Sequence, residues 1–252
     1  MGYKELLNTN KMPYLDTDRF THMKDDILSE RYYSNYIDYK LVPNIEELAK
    51  DIDYIKEEQI NYPHKYIMFN FPENYYPDLE IKEYLEKEGF KFSRHIIFTN
   101  QFSNLKLSQK DIGSITIEEL HASDFSDYLD LKYQQSLVYG EDFAKQMLVY
   151  NRMHLPEKGS RIYVAKDGEK LVGDVTAWEY GEYIEIDDFS LIEDYRGKGI
   201  GSALQRTAAQ YFKKLILVSE EENRDMYEHQ GYQEAAYYWN ALKSNNPSFS
   251  EN

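Results

Sequence analysis

Tyr195-Arg196-Gly197-Lys198-Gly199-Ile200-Gly201-Ser202-Ala203-Leu204 is the stretch that decides how this chain folds. Before it, Tyr183 to Leu191 reads as a strand. After it, Ala203 or Leu204, Thr207 or Ala208, and Tyr211 recur at the helical period. A glycine loop between a strand and a helix is suited to holding an anion. The first amides of a helix lack intrahelical partners and lie at the positive end of its dipole, so several N–H donors can act on one phosphate. Glycines at alternate positions remove Cβ atoms that would block a phosphate and permit positive φ, and Arg196 or Lys198 can add charge. Two nucleotide fingerprints fit poorly. The dinucleotide loop needs a third glycine where Ser202 stands, and the triphosphate loop needs Ser or Thr where Gly199 follows Lys198.

Working outward, Ser114 to Leu120 alternates like a strand, and Ser123 or Asp124 can cap the helix that follows. A longer helix over Glu141 to His154 stops before Pro156. Arg161 to Ala165 and Leu171 to Glu179 flank Asp167-Gly168, a strong hairpin signal. Leu215-Ile216-Leu217-Val218 is a short apolar strand of the kind buried on both faces. The pattern predicts an α+β fold.

The first hundred residues read as a smaller αβ unit. Arg31 to Val42 predicts one or two strands, and Asn44 to Gln59 a helix capped at Asn44 with Glu46 and Glu47 in its first turn. Tyr66 to Phe71 is a buried strand, Leu79 to Glu88 a helix stopped at Gly89, and Phe90 to Phe98 a strand. Lys65 to Phe69 with Tyr84 to Phe90 parallels Lys214 to Val218 with Met226 to Tyr232. Two explanations stay open: convergence on one αβ unit, or a tandem whose first copy has lost its glycine loop. Asn100 to Gly113 is the natural linker, giving an N-terminal domain over 1–105 and a second over 114–245.

Composition narrows the functions. There is no cysteine, which excludes disulfides, thiolate metal sites and a cysteine nucleophile. The histidines, His121, His154 and His229 among them, are scattered without metal-ligand spacing, so no metal is expected. No apolar run is long enough for a membrane span or a signal peptide, so a cytoplasmic protein without a membrane partner is expected. The net charge of −16 argues against a nucleic-acid partner. Most of that excess falls in the C-terminal half, and an acidic surface favours approach of a cationic amine as well as solubility. With 25 tyrosines, many should be half-buried with a partner for the hydroxyl.

Arg196-Gly197-Lys198-Gly199-Ile200-Gly201, with Asn223, Tyr227 and Gly231-Tyr232 downstream and the Asp167-Gly168 hairpin upstream, resembles the GNAT superfamily of acyl-CoA N-acyltransferases over about residues 114–242. The resemblance implies a mixed, mostly antiparallel sheet flanked by helices, with acetyl-CoA as co-substrate. It implies that the strand entering the loop splays from its neighbour and that the backbone of Phe189, Ser190 and Leu191 pairs with the pantetheine arm. Arg196, Gly197, Lys198, Gly199, Ile200, Gly201 and Ser202 would hold the pyrophosphate, with Asn223 and Tyr227 nearby. Tyr227 would protonate the leaving thiolate. Glu185 stands where some members keep a catalytic base; Glu182, Asp187 and Asp188 extend the acidic stretch.

The expected activity is therefore transfer of an acetyl group to a small-molecule or peptide amine. A non-catalytic acyl-CoA-binding sensor or scaffold is the alternative; aminoacyl transfer from charged tRNA is disfavoured by the charge and the intact loop. The N-terminal unit, lacking a glycine loop, is expected to bind no second CoA. Its expected role is to wall the substrate cleft or to form a homodimer.

Overall fold

Alternating strands and amphipathic helices account for most of the protein in the computed structural model, which describes residues 1–245. The chain opens with α1 (Tyr3–Leu7), β1 (Leu15–Asp16), β2 (Phe20–Met23), β3 (Tyr36–Tyr39), α2 (Ile45–Glu58), β4 (Tyr66–Asn70), α3 (Leu79–Lys87) and β5 (Lys91–Gln101). It continues with β6 (Ile115–Glu119), α4 (Phe125–Ser136), α5 (Glu141–His154), β7 (Ser160–Asp167), β8 (Lys170–Tyr180) and β9 (Tyr183–Leu191). Last come α6 (Ile200–Ala209), β10 (Lys214–Glu220), α7 (Arg224–His229) and β11 (Gln233–Ser244).

These elements form two compact units that are not consecutive stretches. One contains Met1–Asn10, Ile97–Gln134 and Asn151–Ala235; the other contains Lys11–Ile96, Gln135–Tyr150 and the chain from Ala236. Strands β5 and β11 each have residues in both. Most of α5 belongs with the N-terminal elements, where Gln146 accepts from the Glu30 amide at 3.0 Å and donates to Ser29 at 3.0 Å.

In the unit built on the N-terminal elements, β1, β2, β3, β4 and the end of β11 pair in that order. Only the β3–β4 pair is parallel, and α2 makes the crossover between its strands. Phe69 and Phe71 are fully buried and stack on Phe90 and Phe92, against Leu48, Ile55 and Leu85 of the two helices. Helix α2 begins with a complete capping box: Asn44 accepts from the Glu47 amide, and the Glu47 carboxylate accepts from the Asn44 amide, each at 2.9 Å. The strand β2 was not foreseen. Arg31 to Val42, read as one or two strands, yields β3 alone after a single 3-10 turn over Tyr32–Ser34.

In the other unit β6, β7, β8 and β9 form an antiparallel meander, and β10 adds parallel to β9 after the α6 crossover. This is the expected mixed, mostly antiparallel sheet with flanking helices. Ile162, Val164 and Leu171 pack with fully buried Tyr128 of α4, and Leu204 and Ala208 of α6 are buried as their period requires. Tyr211 does not share that face. The helix ends at Ala209, and Tyr211 is 77% exposed. Leu215, Ile216 and Leu217 are buried, as an apolar central strand should be.

Both units repeat one sequence of elements after their parallel strands. β4–α3–Gly89–β5 matches β10–α7–Gly231–β11, and the two glycines hold φ of 91° and 94° at the helix ends. The difference lies at the crossover helices. α2 satisfies its own N-terminus with the side chains of Asn44 and Glu47, whereas α6 begins at the glycine loop with no side-chain cap.

Candidate acyl-CoA site

The glycine loop is held open from several sides. Gly197 and Gly199 sit at φ 73° and 88°, the left-handed region that favours glycine. A Cβ at Gly197 would meet nothing within 4 Å, so this face of the loop is clear. Gly201 is small for a different reason from the one expected: its φ is ordinary, and a Cβ there would lie 2.7 Å from Cζ of Phe189. The Tyr195 hydroxyl anchors the loop by donating to Asp167 at 2.8 Å. Ile200, the first residue of α6, is buried, and Gly199 is the N-cap of that helix.

Cations gather here in a strongly acidic protein. Lys198 lies 5.1 Å from the Tyr195 ring, and the Arg196 guanidinium donates to the Leu191 carbonyl at 3.3 Å. Lys110 donates to the Gly197 carbonyl at 2.8 Å. The segment carrying it, read as a plain linker, lies along the start of α6. The Ser108 amide donates to Ser202 at 3.1 Å, and Arg206 donates to the Ser108 carbonyl at 2.8 Å. Ser202 accepts in that contact, which leaves its own hydroxyl proton to donate.

β9 and β10 part company beyond a short ladder. Their register covers Tyr183 with Lys214, Ile184 with Leu215 and Glu185 with Ile216, while β9 runs on to Leu191 and β10 to Glu220. Along the far part of β9, Phe189 is 43% exposed with its ring over Gly201. Ser190 donates to Asp174, and Leu191 pairs with Gly173. The strict alternation assigned to this strand fails at its end. The register with β8 shifts between Thr176–Asp187 and Asp174–Ser190, and Asp188 takes a φ of 49°. A β-bulge of this kind re-aims the side chains that follow it.

On the β10 side, Asn223 and Tyr227 converge on one hydroxyl. Asn223 donates to Ser219 at 3.1 Å, and Ser219 also hydrogen-bonds the Tyr227 phenol. The Tyr227 ring lies against Phe98 and Tyr232, with centroids 5.6 and 5.8 Å away. Burial raises the Tyr227 pKa above its usual value and Asp187 raises it further, against the Ser219 hydrogen bond. Tyr227 therefore keeps its proton at neutral pH.

The acidic stretch is less free than its sequence implied. Glu182 pairs with Lys214 at 2.5 Å, and Asp188 with Lys132 at 2.8 Å. Glu185 accepts a hydrogen bond from buried Tyr180. Asp187 is exposed and forms no salt bridge among the described residues; its charge acts on both Tyr180 and Tyr227. Ser219 and Lys110 were missed by the sequence reading. Ser219 lies in the strand β10, and no helical period links it to Asn223, so no signal in the sequence marked it.

A strand, an uncapped glycine loop and a helix, beside a strand pair that opens, make up a GNAT-like fold. Residues 158–234 match the family model described as "Acetyltransferase (GNAT) domain", and this part of the chain is a GNAT domain. Residues 3–97 match a domain of unknown function (DUF5613). No curated protein matches the chain. Among solved structures, it is similar over 98% of both chains to a functionally unknown conserved protein from Staphylococcus epidermidis, at 24% identity and TM-score 0.80. It is also similar to a GCN5-related N-acetyltransferase from Kribbella flavida, at 11% identity and TM-score 0.61, covering 95% of this chain and 91% of that one. A third, from Sphaerobacter thermophilus, has 12% identity and TM-score 0.61 over 98% and 86% of the two chains. At these identities the likeness is one of fold.

Proposed function

We propose that the protein is an acetyl-CoA-dependent N-acetyltransferase acting on a primary amine, either a cationic small molecule or a peptide amine. One observation carries the reading: β9 leaves β10 beyond Glu185 and Ile216, with the glycine loop following one strand and Ser219, Asn223 and Tyr227 at the end of the other. The loop residues fit a CoA pyrophosphate. The Gly197 face is clear, α6 lacks a side-chain cap, and Arg196, Lys198 and Lys110 bring positive charge.

Acetyl-CoA, when bound, supplies the thioester carbonyl that the amine attacks. The protein's own residues then manage two protons. Glu185 or Asp187 accepts one from the incoming ammonium; Asp187 is the freer, Glu185 being held by Tyr180. Tyr227, protonated at neutral pH, gives a proton to the departing sulfur and is restored by the second proton that the nitrogen sheds as the amide forms. The pantetheine arm would lie along Phe189 to Leu191, beyond the β10 ladder.

A free-thiol assay across an amine panel tests the proposal. An acetyltransferase releases CoA only when a suitable amine is present. A protein that binds acetyl-CoA and releases no thiol with any amine would be a sensor or scaffold instead.

A further inference from the structure

Strand β9 carries an extra residue where it leaves β10. Val175 of β8 faces both Asp188 and Phe189, and Asp188 holds a left-handed backbone with φ 49°. A residue with a Cβ keeps that conformation only where its surroundings fix it. Here the surroundings are charged and buried. Lys132 of α4, its side chain 7% exposed, reaches Asp188 at 2.8 Å and Asp174 at 3.1 Å. Asp174 is completely buried in β8 and also accepts from the Tyr128 hydroxyl at 3.1 Å and from Ser190. Burial pushes the Lys132 ammonium toward neutrality, but Asp174 and Asp188 outweigh it and its pKa is raised, so it stays charged.

A buried ion pair adds little net stability over an apolar pair of similar size. This one is better accounted for by the conformation it enforces. The same carboxylate holds the cation that grips Asp188 and the hydroxyl of Ser190 two residues on, so both sides of the bulge are tied to a single point in β8.

We propose that Lys132 and Asp174 are positioning residues for the acyl donor: they clamp the bulge at Asp188 and so set the course of Phe189 to Leu191, where the pantetheine arm would lie. The clamp rests on the CoA reading above. It acts on the pantetheine and acetyl end of the ligand, not on the phosphates.

Calorimetric titration with two probes, acetyl-CoA and 3′-phosphoadenosine 5′-diphosphate, separates the two ends. Asp188 is 57% exposed, so substitutions there spare the core. Asp188→Ala loses both the ion pair and the tolerance for a left-handed backbone, and is expected to weaken acetyl-CoA binding about tenfold while leaving the diphosphate within about twofold. Asp188→Gly, which accepts that backbone but still lacks the ion pair, is expected to recover only part of the loss. Lys132→Met with Asp174→Asn, which removes both buried charges together, is expected to behave like Asp188→Ala. Acetyl-CoA affinity unchanged in Asp188→Ala, or equal weakening of both probes, would overturn the clamp alone. Wild-type protein that binds neither probe would overturn the CoA reading and the clamp with it.

Discussion

Replacing Gly199 by alanine tests the glycine loop at its most constrained position. Its φ of 88° lies in the left-handed region, where a Cβ costs about 1–2 kcal/mol. The new Cβ would stand 2.8 Å from Cβ of Lys110 and 3.4 Å from its carbonyl oxygen, so the segment lying on the loop must move. Movement breaks the contact from Lys110 to the Gly197 carbonyl, worth about 0.5–1.5 kcal/mol as a net hydrogen bond. The two losses together come to about 1.5–3.5 kcal/mol. If they appear as folding free energy, Tm falls by several degrees, at about 2–4 °C per kcal/mol for a domain of this size. If the loop flattens instead, its amides lose their aim and acetyl-CoA affinity falls by at least about tenfold per 1.4 kcal/mol. Gly197→Ala is the control, since it meets the same backbone penalty at φ 73° with nothing within 4 Å of the new Cβ. Lys110→Gly added to Gly199→Ala should restore part of the loss by removing the opposing Cβ. Differential scanning calorimetry and isothermal titration read the two outcomes. Gly199→Ala with the wild-type Tm and wild-type acetyl-CoA affinity would refute the reasoning.

Tyr227→Phe should lower kcat on the order of 100-fold with little change in acetyl-CoA affinity, as loss of a general acid does. An acid works while protonated, and burial raises Tyr227 above its ordinary pKa near 10, so activity should fall on the alkaline side only above that pH. Asp187→Asn removes a charge that raises Tyr227, and should shift this limb to lower pH in a kcat–pH profile; an unmoved limb contradicts the pairing. Gly173→Ala should destabilise the protein by about 1–3 kcal/mol in thermal melts, because its Cβ would lie 2.5 Å from Leu191 Cδ1 and 2.8 Å from the Ser190 carbonyl oxygen, a backbone atom that cannot turn aside. Burial pushes His22 and His95 down to about 4, so the unfolded chain, with ordinary values near 6.5, binds more protons than the folded one between these limits. Stability from these two is full above pH 6.5 and is lost as pH falls toward 4, at up to about 1.4 kcal/mol per pH unit for each. Urea unfolding of His95→Gln across that range should show a shallower loss, and an identical slope would exclude His95. Because α2 caps itself with Asn44 and Glu47, titration should give one acetyl-CoA per chain, and two would contradict the asymmetry of the units.

The elements whose signals lie close in sequence were the ones that could be read from it. The bounds of β9, the helix α5 over Glu141–His154 and the capped helix α2 followed from alternation, period and capping residues. The place of Asn223 beside Tyr227 followed from their spacing of one turn. What sequence could not show depends on meetings between distant residues. Lys132 reads as an ordinary helical lysine, and only the fold brings it to Asp174 and Asp188 in a buried position. The bulge at Asp188 leaves no mark in the alternation of Tyr183 to Leu191, because one extra residue merely shifts which face the last residues take. Lys110 sits in a polar stretch with no periodicity, so nothing marked it as part of the loop. Gly201 was read as a place for a phosphate, yet it is the Phe189 ring that needs the space. The strand β2 escaped notice because its four residues, Phe20-Thr21-His22-Met23, are too short to carry a pattern.

A crystal structure of the protein with acetyl-CoA would test the central claim most directly. The pyrophosphate is expected on the amides at the start of α6 and the pantetheine arm along Phe189 to Leu191, where β9 has left β10. The sulfur is expected within hydrogen-bond reach of the Tyr227 hydroxyl. A pyrophosphate bound away from Gly197 to Ser202, or a thioester remote from Tyr227, would contradict that claim.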